Sequence, residues 1–292
     1  MEEGNKRRLA VRKTFKLYIG GAFPRSESGR TYQVLDAHGG FIANVAKASR
    51  KDARDAVLSA RTGHRSWSAA TAYNRGQVLY RVAEMMEGRR AQFAAEVARA
   101  EGCGTTDAER ITDAAIDRWV WYAGWADKLA QVIGTANPVA GPFFNFSVPE
   151  PTGVVVLVAP DDSSLLGLVS TIAPAIVSGN ACVAIASQTR PIPAVTLAEV
   201  LATSDLPAGV VNILTGDPAE MMPSLAAHGD VNALDLAGIG DVELAARLER
   251  DAAGTVKRVR RPQPDANWYR TPSLAAMSDL LEIKTVWHPQ GI

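Results

Sequence analysis

Cysteine is scarce in this 292-residue chain: only Cys103 and Cys182 occur. They stand far apart and lack the C-x-x-C spacing of a zinc or thiol–disulfide site. A disulfide-stapled fold is therefore not expected, and a reducing, cytoplasmic setting is. Excess charge is absent as well. The 31 Lys plus Arg balance 31 Asp plus Glu, so no basic footprint speaks for nucleic acid or an anionic membrane as partner. No apolar run is long enough to span a bilayer, because the longest, residues 154–177, is interrupted by Asp161, Asp162, Ser163 and Ser164. The opening residues are mildly basic and lack the apolar stretch of a signal peptide. His38, His64, His228 and His288 do not cluster in sequence, and none is assigned a catalytic or metal role; His228, before Gly229, suits a helix end. No internal repeat is present.

What is there is ordinary globular material, 47% hydrophobic and 21% charged. Residues 1–13 read as a disordered charged arm. Residues 16–23 (KLYIGGAF) read as a strand entering a Gly-Gly hairpin turn. Helices are expected over 51–61, over 75–88 with Val78, Leu79, Val82, Met85 and Met86 on one face, over 91–100, and over 107–132. Trp119, Trp121, Tyr122 and Trp125 on the last of these are expected in the core. Residues 138–149 alternate after Pro and Gly as an edge strand or hairpin. From there strands at 153–160, 181–186, 210–214 and 231–236 alternate with helices at 165–178, 193–203 and 219–228. Short connections between alternating strands and helices imply a parallel α/β sheet of the Rossmann-like kind, wound right-handed. The arginines at 258, 260 and 261 are expected on a solvated face.

Five pieces of text, in order, carry a family resemblance: KLYIGGAF at 16–23, WYAGWADK at 121–128, EPTGVVVLVAP at 150–160, APAIVSGNACV at 173–183 and DLPAGVVNILTG at 205–216. Together they resemble the aldehyde dehydrogenase superfamily over residues 16 to about 260. The resemblance implies a sheet that binds NAD or NADP, flanked by helices, a second domain with a cysteine nucleophile, and a small β oligomerisation arm. It implies thiolate attack on an aldehyde, an asparagine and backbone N–H for the oxyanion, and a glutamate base.

The chain departs from that pattern wherever the family holds its cofactor. The proline–tryptophan–asparagine element reads Pro160-Asp161-Asp162, and a carboxylate at Asp162 would repel the oxyanion an amide stabilises. The residue-level alternative is a solvated strand-to-helix turn in which Asp or Ser caps the next helix. The lysine–proline–serine–glutamate element reads Ile185-Ala186-Ser187-Gln188, with no donor at Ile185. After Gly216 come Asp217, Pro218, Glu220 and Met222 in place of glycine-bearing text, and Leu236-Ala237-Gly238-Ile239 has lost the hydroxyls of the phosphate-binding turn. The remnant cofactor site is thus Pro160, Asp161, Asp162, Ser187, Gln188, Gly216 and Gly238, with NAD or NADP as ligand only if the remnant works and no cofactor otherwise. No glutamate–glycine–glycine text follows residue 259, and Cys182 falls in a buried strand. Residues 281–287 nonetheless resemble the family's last strand, alternating Leu281, Ile283, Thr285 and Trp287.

The expected organisation is therefore a cofactor-domain-like unit over 14–137 and 151–260, an oligomerisation arm over 138–150 and 279–292, and a linker over 261–278 in place of the catalytic domain. The expected function is that of a non-catalytic subunit, associating with a full-length aldehyde dehydrogenase or with itself. Two alternatives stand beside it: an oxidoreductase with residual NAD(P)-dependent activity, and a small-molecule sensor using the remnant pocket.

Overall fold

The computed structural model describes residues 12–262 and 266–291. The arm expected over residues 1–13 lies outside the described residues as far as residue 11. At Lys13 the chain is already paired, its carbonyl accepting from Asn44 N at 3.2 Å. Strands β1 (Thr14–Phe15), β2 (Thr31–Leu35) and β3 (Phe41–Ala46) form a small sheet in the order β1-β3-β2. Between β1 and β2 the Gly-Gly turn is the expected tight hairpin. Gly20 and Gly21 have φ of 61° and 78°, and Ile19 and Ala22 exchange backbone hydrogen bonds across them; a turn needing two left-handed residues selects glycine.

Four long helices and one short one follow: α1 (Arg50–Ala69), α2 (Ala72–Glu87), α3 (Arg90–Glu101), α4 (Thr105–Trp125) and α5 (Leu129–Ile133). Ser49 and Asp52 form a reciprocal capping box at the start of α1. The single helix expected over 107–132 is two, because the bonds tighten to i−3 after Gly124: Ala126 N donates to Ala123 O and Lys128 N to Trp125 O. Trp119 and Tyr122 are buried as expected.

Beyond them come β4 (Thr135–Asn137), β5 (Phe143–Pro151), β6 (Val154–Val158), α6 (Leu166–Val177), β7 (Ala181–Ile185), α7 (Ile192–Leu201), β8 (Val211–Leu214), α8 (Pro218–Ala226), β9 (Ala233–Asp235), α9 (Val242–Ala253), β10 (Arg258–Arg260), α10 (Ala275–Ser278) and β11 (Leu281–Pro289). The β2–β3 pair and α9 are additions to the expected elements. The main sheet has the order β10-β9-β6-β7-β8, all parallel. Its central strands are buried on both faces, which is why they read as unbroken β-branched runs instead of alternating ones. The Gly20–Gly21 hairpin docks on its β8 edge, where Tyr18 and Ile213 exchange bonds of 2.8 and 2.9 Å.

The remaining sheet joins segments far apart in sequence, in the order β11-β5-β4. β11 runs antiparallel to β5 in unbroken register from Leu281↔Pro151 to Pro289↔Phe143. The stretch expected as a linker is packed, not a bare tether. Arg118 donates to Trp268 O at 2.7 Å and to Arg270 O at 3.1 Å, and Met277 lies in the core with Trp268 and Leu274 packed against it. Arg260 also departs from the solvated face expected of it: its guanidinium pairs at 2.6 Å with buried Asp235.

Candidate functional site

The chain leaves β6 toward β7 on one side and returns as β9 on the other. Such a reversal opens a crevice beyond the carboxyl ends of β6 and β9, the usual ligand position in an open α/β sheet. Here it holds a cavity of about 550 Å³. One wall is Pro160, Asp161 and Asp162 from the end of β6; a second is the turn Ala237–Gly240 after β9. The third is the outer face of α9, with Val242, Ala245 and Glu249, and Arg261, Pro262 and Trp268 complete the lining.

Backbone contact sets the crevice. Gly238 N donates to Val158 O at 2.9 Å, and a Cβ on Gly238 would lie 2.1 Å from Ala159 O. Only glycine lets the turn cross the end of β6 this closely. On the β6 side, Glu101 holds the entry to α6, its Oε1 accepting from both Ser164 N and Oγ at 2.7 Å. Ser163 Oγ accepts from Gly167 N at 2.9 Å and so satisfies one amide of the first turn of α6, but the N-cap position itself is Leu165, where no side chain caps the helix in the way expected of an Asp or a Ser.

The polar groups of the cavity are largely engaged with one another. Asp161 Oδ1 accepts from Ser187 Oγ at 2.5 Å, while Ser187 Oγ itself accepts from Arg190 N. Trp268 Nε1 is 3.4 Å from Asp162 Oδ1, a weak tie that brings the indole over the opening. Arg261 pairs with Glu249 at 3.0 Å. At the start of α9, Asp241 Oδ1 accepts from Glu243 N and Leu244 N at 2.9 and 3.2 Å, which fills the amide cluster a helix N-terminus offers to an anion. Among the described residues, the lining thus sets Asp161, Asp162 and Glu249 against the one guanidinium of Arg261.

The expected site residues do not gather in one place. Pro160, Asp161, Asp162 and Gly238 line the cavity, and Ser187 is joined to it through Asp161. Gln188 instead borders a separate surface hollow with Tyr32, Asp36 and Arg190. Gly216, at φ 137°, turns the chain from β8 toward α8 against Ala48, whose N–H donates to Thr215 O. Its glycine serves that turn, outside the cavity lining. Residues the sequence reading missed are Trp268 and the α9 face. The spacing of Leu244, Ala245, Leu248 and Ala252 signals that helix, whereas nothing local signals the folding of Trp268 back over β6.

Neither cysteine lines the cavity. Cys182 is fully buried in β7, and burial pushes its thiol well above the ordinary range. Cys103 lies between α3 and α4, its thiol raised by desolvation and by the Glu101 carboxylate. Both shifts disfavour a thiolate. Among the described residues no three His, Cys, Asp or Glu side chains group as metal ligands, and no helix is long and apolar enough to cross a membrane.

Comparison with known proteins agrees with this architecture. The betaine aldehyde dehydrogenase of Staphylococcus aureus, solved in complex with NAD+, superposes with a TM-score of 0.79 at 25% identity, covering 84% of this chain and 48% of that one. An aldehyde dehydrogenase from Bacillus cereus, also in an NAD+ complex, gives 0.79 at 24% identity, over 85% of this chain and 50% of that one. The chain therefore spans about half the length of the solved structures it matches. Residues 23–261 match the aldehyde dehydrogenase family, and the chain belongs to that family.

Proposed function

We propose that this chain is a non-catalytic aldehyde-dehydrogenase-family subunit that acts by association, with a full-length dehydrogenase or with a second copy. The observation that carries the reading is the position of the sulfurs: neither Cys103 nor Cys182 reaches the switch-point crevice, and burial raises both thiols. Aldehyde oxidation in this family, as the resemblance implies, starts from a thiolate, and among the described residues no other side chain on the crevice replaces one.

The residues present also fit a dinucleotide poorly. A diphosphate at the start of α9 meets amides already bonded to Asp241 and, nearby, the carboxylates of Asp161, Asp162 and Glu249. Like charges in a partly desolvated crevice oppose such an anion. Ile185 and Ile239 bring no hydrogen bond to a ribose or phosphate. The three-stranded sheet of β4, β5 and β11, with Phe144, Ile283 and Trp287 exposed, supports association as the remaining function.

The test is co-expression with a full-length aldehyde dehydrogenase from the same source, followed by native mass measurement and assay of each component. The expected result is a complex of fixed stoichiometry containing this chain, which alone oxidises no aldehyde with NAD+ or NADP+. Turnover by the isolated chain would overturn the proposal.

A further inference from the structure

We propose that two copies of this chain pair edge to edge through β11, antiparallel, about a two-fold axis at Thr285. This names a partner and a register for the association proposed above, and it rests on that reading only in assigning the arm a binding role.

Hydrogen bonds at the two ends of the β11–β5 ladder fix which backbone groups of β11 face outward. Thr152 N donates to Leu280 O and Gln290 N to Pro142 O. In an antiparallel pair, residues that bond to the partner alternate with residues whose N–H and C=O point away. With the unbroken register between those ends, Glu282, Lys284, Val286 and His288 bond toward β5. Leu281, Ile283, Thr285 and Trp287 then direct their backbone groups to the outer edge, which pairs with no strand among the described residues. No register shift interrupts the strand. Of the usual guards of an open edge, β11 lacks bulges and short length and has its proline only at the last position, Pro289; its two charges, Glu282 and Lys284, are already answered within the chain by Arg258 and Glu150.

The strand is also complementary to itself. Turned about Thr285, each outward rung meets another outward rung: Thr285 its own copy, Ile283 the partner's Trp287. Ile283 and Trp287 are 53% and 58% exposed in the single chain, and this pairing sets one against the other on the same face. On the opposite face Glu282 meets His288, and Lys284 meets Val286. An axis at Lys284 would oppose two ammonium groups. Axes at Ile283 or Trp287 would overlap only part of the strand. Thr285 alone aligns β11 over its full length with no like charges opposed. The result is a continuous six-stranded sheet, made from the three strands of each copy.

The experiment uses the full chain in sedimentation velocity across a concentration series. The unmodified chain is expected to be a dimer. The double variant Ile283→Glu with Trp287→Glu places carboxylates opposite each other across the axis and should weaken the dimer by about tenfold or more. The double variant Ile283→Glu with Trp287→Lys restores attraction in this register only and should recover the dimer. Both substituted positions are exposed in the single chain, and circular dichroism checks that each variant keeps its fold. A monomeric unmodified chain, a dimer that survives the Glu/Glu change, or a Glu/Lys variant that stays monomeric would each overturn the inference. A chain that is monomeric alone yet enters a complex with a full-length dehydrogenase overturns this inference and leaves the association reading standing. A chain that does neither overturns both.

Discussion

At Gly238 close packing is by itself enough to demand a glycine. The sequence marks it as the surviving glycine of a phosphate-binding turn, yet its absolute constraint is packing. A Cβ there would meet Ala159 O at 2.1 Å, Ala159 C at 2.6 Å and Val158 O at 2.9 Å, all backbone atoms that cannot swing aside. Gly238→Ala should therefore cost about 3 kcal/mol or more by overpacking, visible as a drop of several degrees in Tm. Gly240→Ala, two residues on in the same turn and facing open space, should stay within about 0.5 kcal/mol. Equal melting temperatures for the two variants would mean that the turn does not cross β6 as described. Gly216 teaches the same lesson differently: its φ of 137° explains the glycine without any ligand. Asp161 and Asp162 were legible as a strand-to-helix turn. Their partners Ser187 and Trp268 lie 26 and 106 residues away, beyond any local pattern.

At the scale of elements, long periodic segments were legible and short irregular ones were not. Strands β6 to β9 of the main sheet announce themselves because burial on both faces demands continuous apolar text, whereas β10, reading Arg-Val-Arg and only partly buried, does not. β2 and β3 hide because they are only partly buried, glycines flank them at 29, 39 and 40, and a register shift between Val34 and Leu35 breaks the alternation. The end of α6 shows packing that no motif encodes. Its last carbonyls are taken by side chains of α1 and α2: Trp67 Nε1 donates to Ile176 O at 2.7 Å, Arg75 Nε to Val177 O at 3.2 Å, and His64 Nδ1 lies 3.2 Å from Gly179 O. Since a carbonyl only accepts, His64 carries a proton on Nδ1. Burial holds its pKa below the ordinary 6.5. The folded state thus resists a proton that the unfolded chain takes up readily. The stability this arrangement contributes is present above pH 6.5 and is lost as pH falls through the lower folded value. His64→Gln keeps a donor for Gly179 O without the titration. Its Tm should fall less than that of the unmodified chain on acidification below pH 6.5. Parallel curves for the two proteins would remove His64 as the source.

For the molecule as a whole, family and sheet topology were legible from five dispersed motifs, while the partner of the arm was not, because complementarity belongs to a surface and not to a spacing. The same global view decides what the crevice accepts. The fold keeps a Rossmann-like switch point and its cavity, but sets Asp161, Asp162 and Glu249 around it with only Arg261 in answer, and spends the α9 amides on Asp241. A ligand bound to the folded state at a hundred times its Kd would add about 2.7 kcal/mol of stability, enough to raise Tm by several degrees. Millimolar NAD+ or NADP+ should therefore leave the melting temperature unchanged in differential scanning calorimetry. Small organic ammonium salts, whose charge answers the carboxylates and whose carbon suits Val242, Ala245 and Trp268, would raise it if the cavity serves as a sensor site. A rise of several degrees with either dinucleotide would return a working cofactor site to this crevice, and with it the case for residual oxidoreductase activity.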